Sequence, residues 1–144
     1  MSSISISVID PCTIQAYLET DYCVHGDAPM TLKVSIASPA LADLHKTSRA
    51  TASTFITAAN PFSQAFDPAT NIQRQSALAR ELKSRGLTCI EGIGQHPSNE
   101  WPREPSFLVL NLSLEAAKVL GVQHEQNAII WCGADAVPQL ILLR

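Results

Sequence analysis

The run A-S-T-F-I-T-A-A-N-P-F, residues 52–62, is the strongest strand signal in the chain, and it stops abruptly at an Asn-Pro pair. Alternation places Phe55 on one face and Ile56 on the other, and both faces are apolar or small, which is typical of an interior strand. Pro61 lacks the N–H that a strand ladder needs, so the strand ends at Asn60. The Asn60 amide is then placed either to cap the local turn or to meet a ligand.

The residues that follow this strand predict a helix–strand–strand–helix–strand series. Asp67-Pro68 is a helix start, and that helix is expected to run to about Arg85, with Gly86 as its left-handed stop. Ser113 caps a second helix. The strands are expected at Leu87–Ile93, Ser106–Leu112, Asn127–Cys132 and Pro138–Leu143. The fold class is therefore α+β: an antiparallel-dominated sheet with two main helices in the ferredoxin-like β-α-β-β-α-β order, plus an N-terminal helix and peripheral strands.

Residues 1–51 read as a lead-in to this core. Asp10-Pro11 predicts a short covering helix, and Tyr22–His25 with Met30–Ile36 predicts a peripheral hairpin. Pro39–Ala52 is interpreted as a short turn of helix followed by a mobile loop. A length of 144 residues favours a single domain, 1–144, with its core at 52–144.

Composition narrows the class of partner. A charged fraction of 16% and a hydrophobic fraction of 46% are those of an ordinary globular protein, while a net charge of −3 with no basic run argues against nucleic acid. No apolar stretch approaches the ~20 residues that a membrane span needs, and no leader is recognisable, so the cytoplasm is the expected location and no membrane partner is expected. The four cysteines and four histidines lack ligand spacing, so neither a metal nor a cofactor is predicted.

A polar rim is the candidate site. The segment from Gly94 to Pro105 is rich in Pro, Gly, Ser and Asn, which predicts a long irregular loop with an indole in its middle, and loops of this length are often functional. Polar groups at strand ends or a helix start could converge beside it. The candidate ligand-binding residues are Asn60, Arg74, Trp101, Glu104, Ser106, Gln126 and Asn127. The alternative is that these side chains only tie loop backbone to strand ends.

Five ordered motifs carry a family resemblance: F-I-T-A-A-N-P-F at 55–62, N-x-x-R-Q at 71–75, G-I-G at 92–94, E-W-P-x-E-P-S-F-L-V at 100–109 and Q-N-A-I-I-W at 126–131. In this set the chain resembles a bacterial family catalogued as domain of unknown function 3293. The resemblance covers about the last two thirds of the chain and supports its element boundaries, but it implies no established activity. Where the family pattern has an aromatic before the Asn, this chain has Ala59.

Three hypotheses for function remain open. The preferred one is a non-catalytic cytoplasmic module that binds a small polar ligand or a protein partner at the polar rim. The second is a small hydrolase or transferase that uses His96, Glu104 and Ser106 as base, orienting acid and nucleophile. The third is a structural subunit that pairs with a second copy, as in a homodimer.

Overall fold

The computed structural model describes residues 7–98 and 100–144, so the Ser–Ile alternation at the N-terminus up to residue 6 and position 99 of the expected long loop lie outside it. Within the described residues the chain forms four helices and seven strands. The helices are α1 Pro11–Glu19, α2 Pro39–Thr47, α3 Pro68–Ser84 and α4 Leu114–Gln123. The strands are β1 Asp21–Val24, β2 Met30–Leu32, β3 Ser53–Ile56, β4 Cys89–Gln95, β5 Glu104–Leu110, β6 Ala128–Cys132 and β7 Pro138–Leu142.

All seven strands belong to one sheet, in the order β2-β1-β4-β5-β3-β6-β7, and every neighbouring pair is antiparallel. β3 lies between β5 and β6, which confirms the prediction of an interior strand. The sheet curls so that its two ends meet: the backbone N–H of Ser35, after β2, donates to the carbonyl of Pro138 in β7 at 2.8 Å. The α+β class with an antiparallel sheet is therefore confirmed.

The helix starts follow the sequence signals. The Asp10, Asp67 and Ser113 side chains each accept a hydrogen bond from a backbone N–H of the first turn of their helix, and Pro11 and Pro68 take the first helical position. At the end of α3, Gly86 has φ +69°, the left-handed conformation that glycine adopts at least cost.

Two apolar clusters pack on opposite faces of the sheet. The first, on the inner face of the curl, includes Tyr22, Val24, Leu32, Leu41, Phe55, Leu108 and Ile130. The second joins the sheet to α3 and α4 and includes Ile56, Leu78, Leu82, Phe107, Val109, Leu120 and Ile129. Phe55 and Ile56 thus point to opposite faces, as the alternation predicts.

Two segments are more regular than expected. The stretch read as a turn of helix and a mobile loop forms the nine-residue α2, because Ser38 caps it and Leu41 and His45 are buried against the core. The expected long irregular loop is shorter, since β4 extends to Gln95 and β5 already includes Pro105. Pro105 is tolerated there because its pairing with β3 has ended, and its carbonyl instead accepts from the Thr57 hydroxyl at 2.7 Å.

Candidate functional site

A cavity of about 280 Å³ lies on the inner face of the sheet, bordered by α1, by the turn after β3 and by the loop between β4 and β5. Ala16 and Tyr17 of α1 form one wall. Phe55 of β3 and Ile130 of β6 belong to the sheet side. The ring of Tyr22 stands edge-on to Phe55 with 5.3 Å between the ring centroids, so aromatic surface lines part of the cavity.

Asn60 connects the turn after β3 to the cavity. Its Nδ2 donates to Glu104 Oε2 at 3.0 Å, while its Oδ1 accepts from the backbone N–H of Phe66 at 3.1 Å and from Asn71 Nδ2 at 2.8 Å. Asn60 is buried with φ 47°, and Ser63 has φ 59°. Left-handed backbone at non-glycine residues persists only where the surroundings hold it, and these hydrogen bonds supply that restraint.

The first two turns of α3 fix the backbone that leads into Asn60. Asn71 Oδ1 accepts from the Asn60 N–H at 2.8 Å, and Gln75 Oε1 accepts from the Ala58 N–H at 3.0 Å. Arg74 Nε donates to the Ala58 carbonyl at 2.7 Å, and its Nη2 donates to the His124 carbonyl at 2.8 Å. Asn71, Arg74 and Gln75 of the N-x-x-R-Q motif therefore form a clamp that holds the backbone after β3, because each of them hydrogen-bonds to that backbone.

Glu104 is the acidic side chain on the cavity wall. Removal of its carboxyl from water raises the pKa to about 7, and the hydrogen bond from Asn60 opposes this shift. Within the described residues no cation pairs with this carboxyl, and Oε1 has no hydrogen-bond partner there. Glu104 therefore carries an uncompensated charge whenever it is ionised.

The hydroxyl groups of Tyr17 and Ser63 also line the cavity. Tyr17 and Ser63 share a short hydrogen bond, and Asn127 Nδ2 donates to the Tyr17 hydroxyl at 3.2 Å. Burial raises the pKa of Tyr17 above its ordinary value. Arg144 donates to Asn127 Oδ1 at 3.1 Å, and its guanidinium stacks over Phe62 with 4.1 Å to the ring centroid.

The loop between β4 and β5 completes the cavity with His96, Trp101 and Pro102. His96 Nε2 lies 2.9 Å from Glu19 Oε1 at the end of α1, and His96 Nδ1 lies 2.6 Å from Ser98 Oγ. The hydrogen bond from His96 lowers the pKa of Glu19. Both imidazole nitrogens are thus engaged, and the ring ties α1 to the loop.

The structure separates the seven sequence-predicted site residues into two groups. Those that line the cavity are Asn60, Trp101, Glu104, Ser106 and Gln126. Arg74 and Asn127 do not: Arg74 is committed to backbone carbonyls, and Asn127 contacts the cavity only through the Tyr17 hydroxyl. Of the proposed catalytic trio, His96 also lines the cavity, but it is bonded to neither Glu104 nor Ser106.

Sequence reasoning missed the contribution of Tyr17, Tyr22 and Phe55. Tyr17 reads as part of the apolar stripe that it forms with Ile14 and Leu18 at helical spacing, and Phe55 reads as a core residue, because periodicity reports only which face is buried. The Tyr17 hydroxyl in this otherwise apolar stripe indicates a polar neighbour, but it does not indicate which segment supplies that neighbour.

Two features are absent from the described residues, a metal-binding cluster and a membrane-spanning helix. These residues contain no group of three or more His, Cys, Asp or Glu side chains arranged to hold a metal ion. They also contain no helix that is both long and apolar enough to cross a membrane.

Fold and cavity define a small α+β protein with an aromatic, carboxylate-bearing cavity beneath its first helix. Residues 56–129 match the family described as Protein of unknown function (DUF3293), and the chain belongs to this family. No curated protein and no solved structure matches the chain significantly. The family match contains Asn60 and Glu104, whereas Tyr17 and Tyr22, which also line the cavity, lie outside it.

Proposed function

We propose that the protein is a non-catalytic module that binds a small polar molecule in the cavity between α1 and the sheet. The observation that carries the proposal is the convergence of Glu104, Asn60 and the Tyr17 hydroxyl on one partly enclosed space with aromatic walls. Concave sites with mostly apolar walls and a few convergent polar groups are the usual form of ligand sites. Trp101 and Pro102 form part of the entrance wall in this proposal.

A small ligand is preferred to a protein partner because of the size and shape of the space. About 280 Å³ holds roughly nine water-sized groups, each with about 30 Å³ of liquid volume. α1 covers it from one side, and the His96–Glu19 contact holds α1 to the opposite loop. A protein surface could reach only the rim.

The strand order and the positions of the helices agree with a cavity on one face of the sheet. The four strands β4-β5-β3-β6 are adjacent and antiparallel, and α3 and α4 pack on one face, which supports a ferredoxin-like core. In that arrangement β1 and β2 extend the sheet beyond β4, while α1 and α2 lie over the face that the two main helices leave open. The proposal takes the cytoplasm, expected from the sequence, as the compartment and 1–144 as one domain.

A thermal-shift screen of small metabolites tests the proposal. Wild type is compared with Gly94→Val, since Gly94 lines the cavity and its added side chain would point toward Phe55 and Tyr22. Selective stabilisation of wild type by one chemical class, lost in Gly94→Val, is the expected result. Failure of every compound to stabilise wild type, or equal stabilisation of both proteins, would contradict it.

A second candidate, a small hydrolase or transferase, is favoured by one observation: His96, Glu104 and Ser106 line the same cavity. Against it, Ser106 donates its proton to the carbonyl of Glu104 at 2.9 Å, and His96 is held by Glu19 and Ser98. A serine nucleophile needs a base within hydrogen-bond reach. Turnover of chromogenic esters that disappears in Ser106→Ala would support this candidate, and equal background rates would remove it.

The homo-oligomer hypothesis is supported only by the two terminal strands of the sheet, β2 and β7, each of which pairs with one described strand. The start of β7 is already contacted by the segment that follows β2, which reduces the free edge. Light scattering that gives twice the chain mass would support a homodimer. A monomer at high concentration would exclude it.

A further inference from the structure

We infer that the ligand of this cavity is a small organic cation, a protonated or quaternary amine, whose positive charge pairs with Glu104. The inference deepens the proposed function and rests on it. It is drawn from the charges, the hydrogen-bonding capacity and the aromatic surface of the cavity wall, which all point to the same ligand chemistry.

Charge is the first argument. Among the described residues that line the cavity, Glu104 is the acidic one, and none is a lysine or arginine. The other titratable side chains of the lining are Tyr17, Tyr22 and His96, and the His96 imidazole is held by Glu19 and Ser98. The nearby arginines do not line the cavity: Arg74 binds two backbone carbonyls, and Arg144 lies over Phe62. Arg103 borders an adjoining groove beside α3, which shares Asn60, Ala65 and Pro102 with the cavity. The residues outside the described part of the chain contain no Lys, Arg or His side chain. A ligand cation would supply the missing counter-charge.

Hydrogen-bonding capacity is the second argument. Ser106 donates its hydroxyl proton to the carbonyl of Glu104, and Thr57 donates its own to the carbonyl of Pro105. Toward the cavity, both hydroxyls can therefore act only as acceptors. Glu104 Oε1 is a further acceptor. One Nδ2 proton of Asn60 is donated to Glu104, and Gln126 Nε2 donates to the Ala59 and His124 carbonyls. Acceptor-rich walls complement a donor-rich ammonium group.

Aromatic surface is the third argument. The edge-on pair of Tyr22 and Phe55 and the ring of Trp101 line the same cavity as Glu104. Aromatic faces attract ammonium groups through their quadrupole, and such rings are the usual lining of sites for alkylated amines. The ring surface also packs against the alkyl part of an amine. An anion would be repelled by the Glu104 carboxylate, and a neutral ligand would leave its charge without a counter-charge.

The inference predicts how affinity depends on pH. Burial raises the pKa of Glu104 to about 7, so an ammonium ligand must displace the carboxyl proton at lower pH. Between pH 6 and pH 8 the ionised fraction of a group with this pKa rises about tenfold, and affinity for a permanently charged ligand should rise by about the same factor. The affinity for a neutral ligand of the same shape should not rise.

The experiment uses choline and its uncharged isostere 3,3-dimethylbutan-1-ol, together with butylammonium and butan-1-ol, in calorimetric titrations of the full chain at pH 6 and pH 8. We expect the cation of each pair to bind at least tenfold more tightly than its neutral partner at pH 8. Glu104→Gln should abolish this preference and its pH dependence. Glu91→Gln, which removes the same charge from an exposed position on the neighbouring strand β4, should retain both.

The possible outcomes separate the two proposals. If neutral or anionic compounds bind to wild type and lose affinity in Gly94→Val, while no cation is preferred, the inference is overturned and the ligand-binding function stands. If no compound of any charge binds, both are overturned. Circular dichroism on each variant confirms that a loss of binding is not a loss of folding.

Discussion

At the scale of single residues, Glu104 and Arg74 are two charged side chains near one cavity, and their hydrogen-bond partners differ. Arg74 lies close to the turn after β3, yet its guanidinium is used entirely within the protein. Glu104 is partly buried, and a neutral amide is the donor to its carboxyl group among the described residues. The first arrangement holds the backbone beside the cavity in place, whereas the second leaves a carboxylate without a cation among the described residues, which the proposed ligand would supply.

Glu104 should make the protein less stable as the pH rises. Its pKa of about 7 in the folded chain lies above its ordinary 4.5, so between these values the folded state binds more protons than the unfolded state, and the free energy of unfolding falls with increasing pH. Glu104→Gln should therefore be more stable than wild type at pH 8, by on the order of 2–3 kcal/mol, and similar to it at pH 4.5. Urea unfolding across this range measures the difference.

Two comparisons isolate the effect. Buried His45 has a lowered pKa, so its protonation destabilises the fold as the pH falls, but this contribution is common to wild type and Glu104→Gln and cancels. Exposed Glu91→Gln should leave the pH dependence of wild type intact. Identical pH profiles for wild type and Glu104→Gln would mean that the carboxyl is fully hydrated, against this account.

Replacing Arg74 should cost stability even when the charge is kept. Arg74→Lys cannot reach the Ala58 and His124 carbonyls with one rigid fork, so at least one of these carbonyls loses its charged donor. A loss of about 1–3 kcal/mol in the free energy of unfolding is expected. Arg80→Lys, an exposed change on the same helix, is the control. Equal stability of the two variants would argue against the clamp.

At the scale of elements, the sequence was informative wherever local chemistry decides the outcome. The caps at Asp10, Asp67 and Ser113, the stop at Gly86 and the strand pattern around Phe55 all act within a few residues, and the structure confirms each of them. The nine-residue α2 and the strand position of Pro105 were missed, because both depend on what the rest of the chain packs beside them.

The G-I-G motif of β4 contains two glycines in different surroundings: Gly92 is tightly packed, and Gly94 lines the cavity. A Cβ on Gly92 would lie 2.4 Å from the carbonyl oxygen of Cys23 and 2.9 Å from the ring of Phe55, whereas a Cβ on Gly94 meets nothing closer than 3.9 Å. Gly92→Ala should lower the free energy of unfolding by about 1–3 kcal/mol, as overpacking does. Gly94→Ala should leave it nearly unchanged. Thermal melts of Gly92→Ala and Gly94→Ala measure the difference, and equal melting temperatures would contradict the prediction.

At the scale of the whole molecule, the cavity is built from segments that are far apart in the sequence. Residues of α1, β3, β4, β5 and β6 all contribute, and no motif in one segment reports the others. Asn60, Glu104 and Ser106 were predictable as polar groups at strand ends. Tyr17 and Tyr22 were not, because residues 1–51 read as a peripheral lead-in, and only the curl of the sheet brings α1 to the site.

The same arrangement predicts that residues 52–144 do not fold alone. β1 covers the edge of β4, and Tyr22, Val24, Leu32 and Leu41 complete the first apolar cluster. A truncated chain should expose this cluster and lose its cooperative unfolding transition. Calorimetry and the dispersion of a proton NMR spectrum measure this. A sharp transition and a dispersed spectrum from 52–144 would show that the lead-in is an accessory to an independent core.

The most direct test of the central claim is a carbon-13 NMR titration of the Glu104 side-chain carboxyl, assigned by its absence in Glu104→Gln. The account predicts a midpoint near pH 7 for the free protein, as its raised pKa requires, and a lower midpoint in the presence of saturating choline or butylammonium. A midpoint near 4.5 in the free protein, unchanged by either cation, would contradict it.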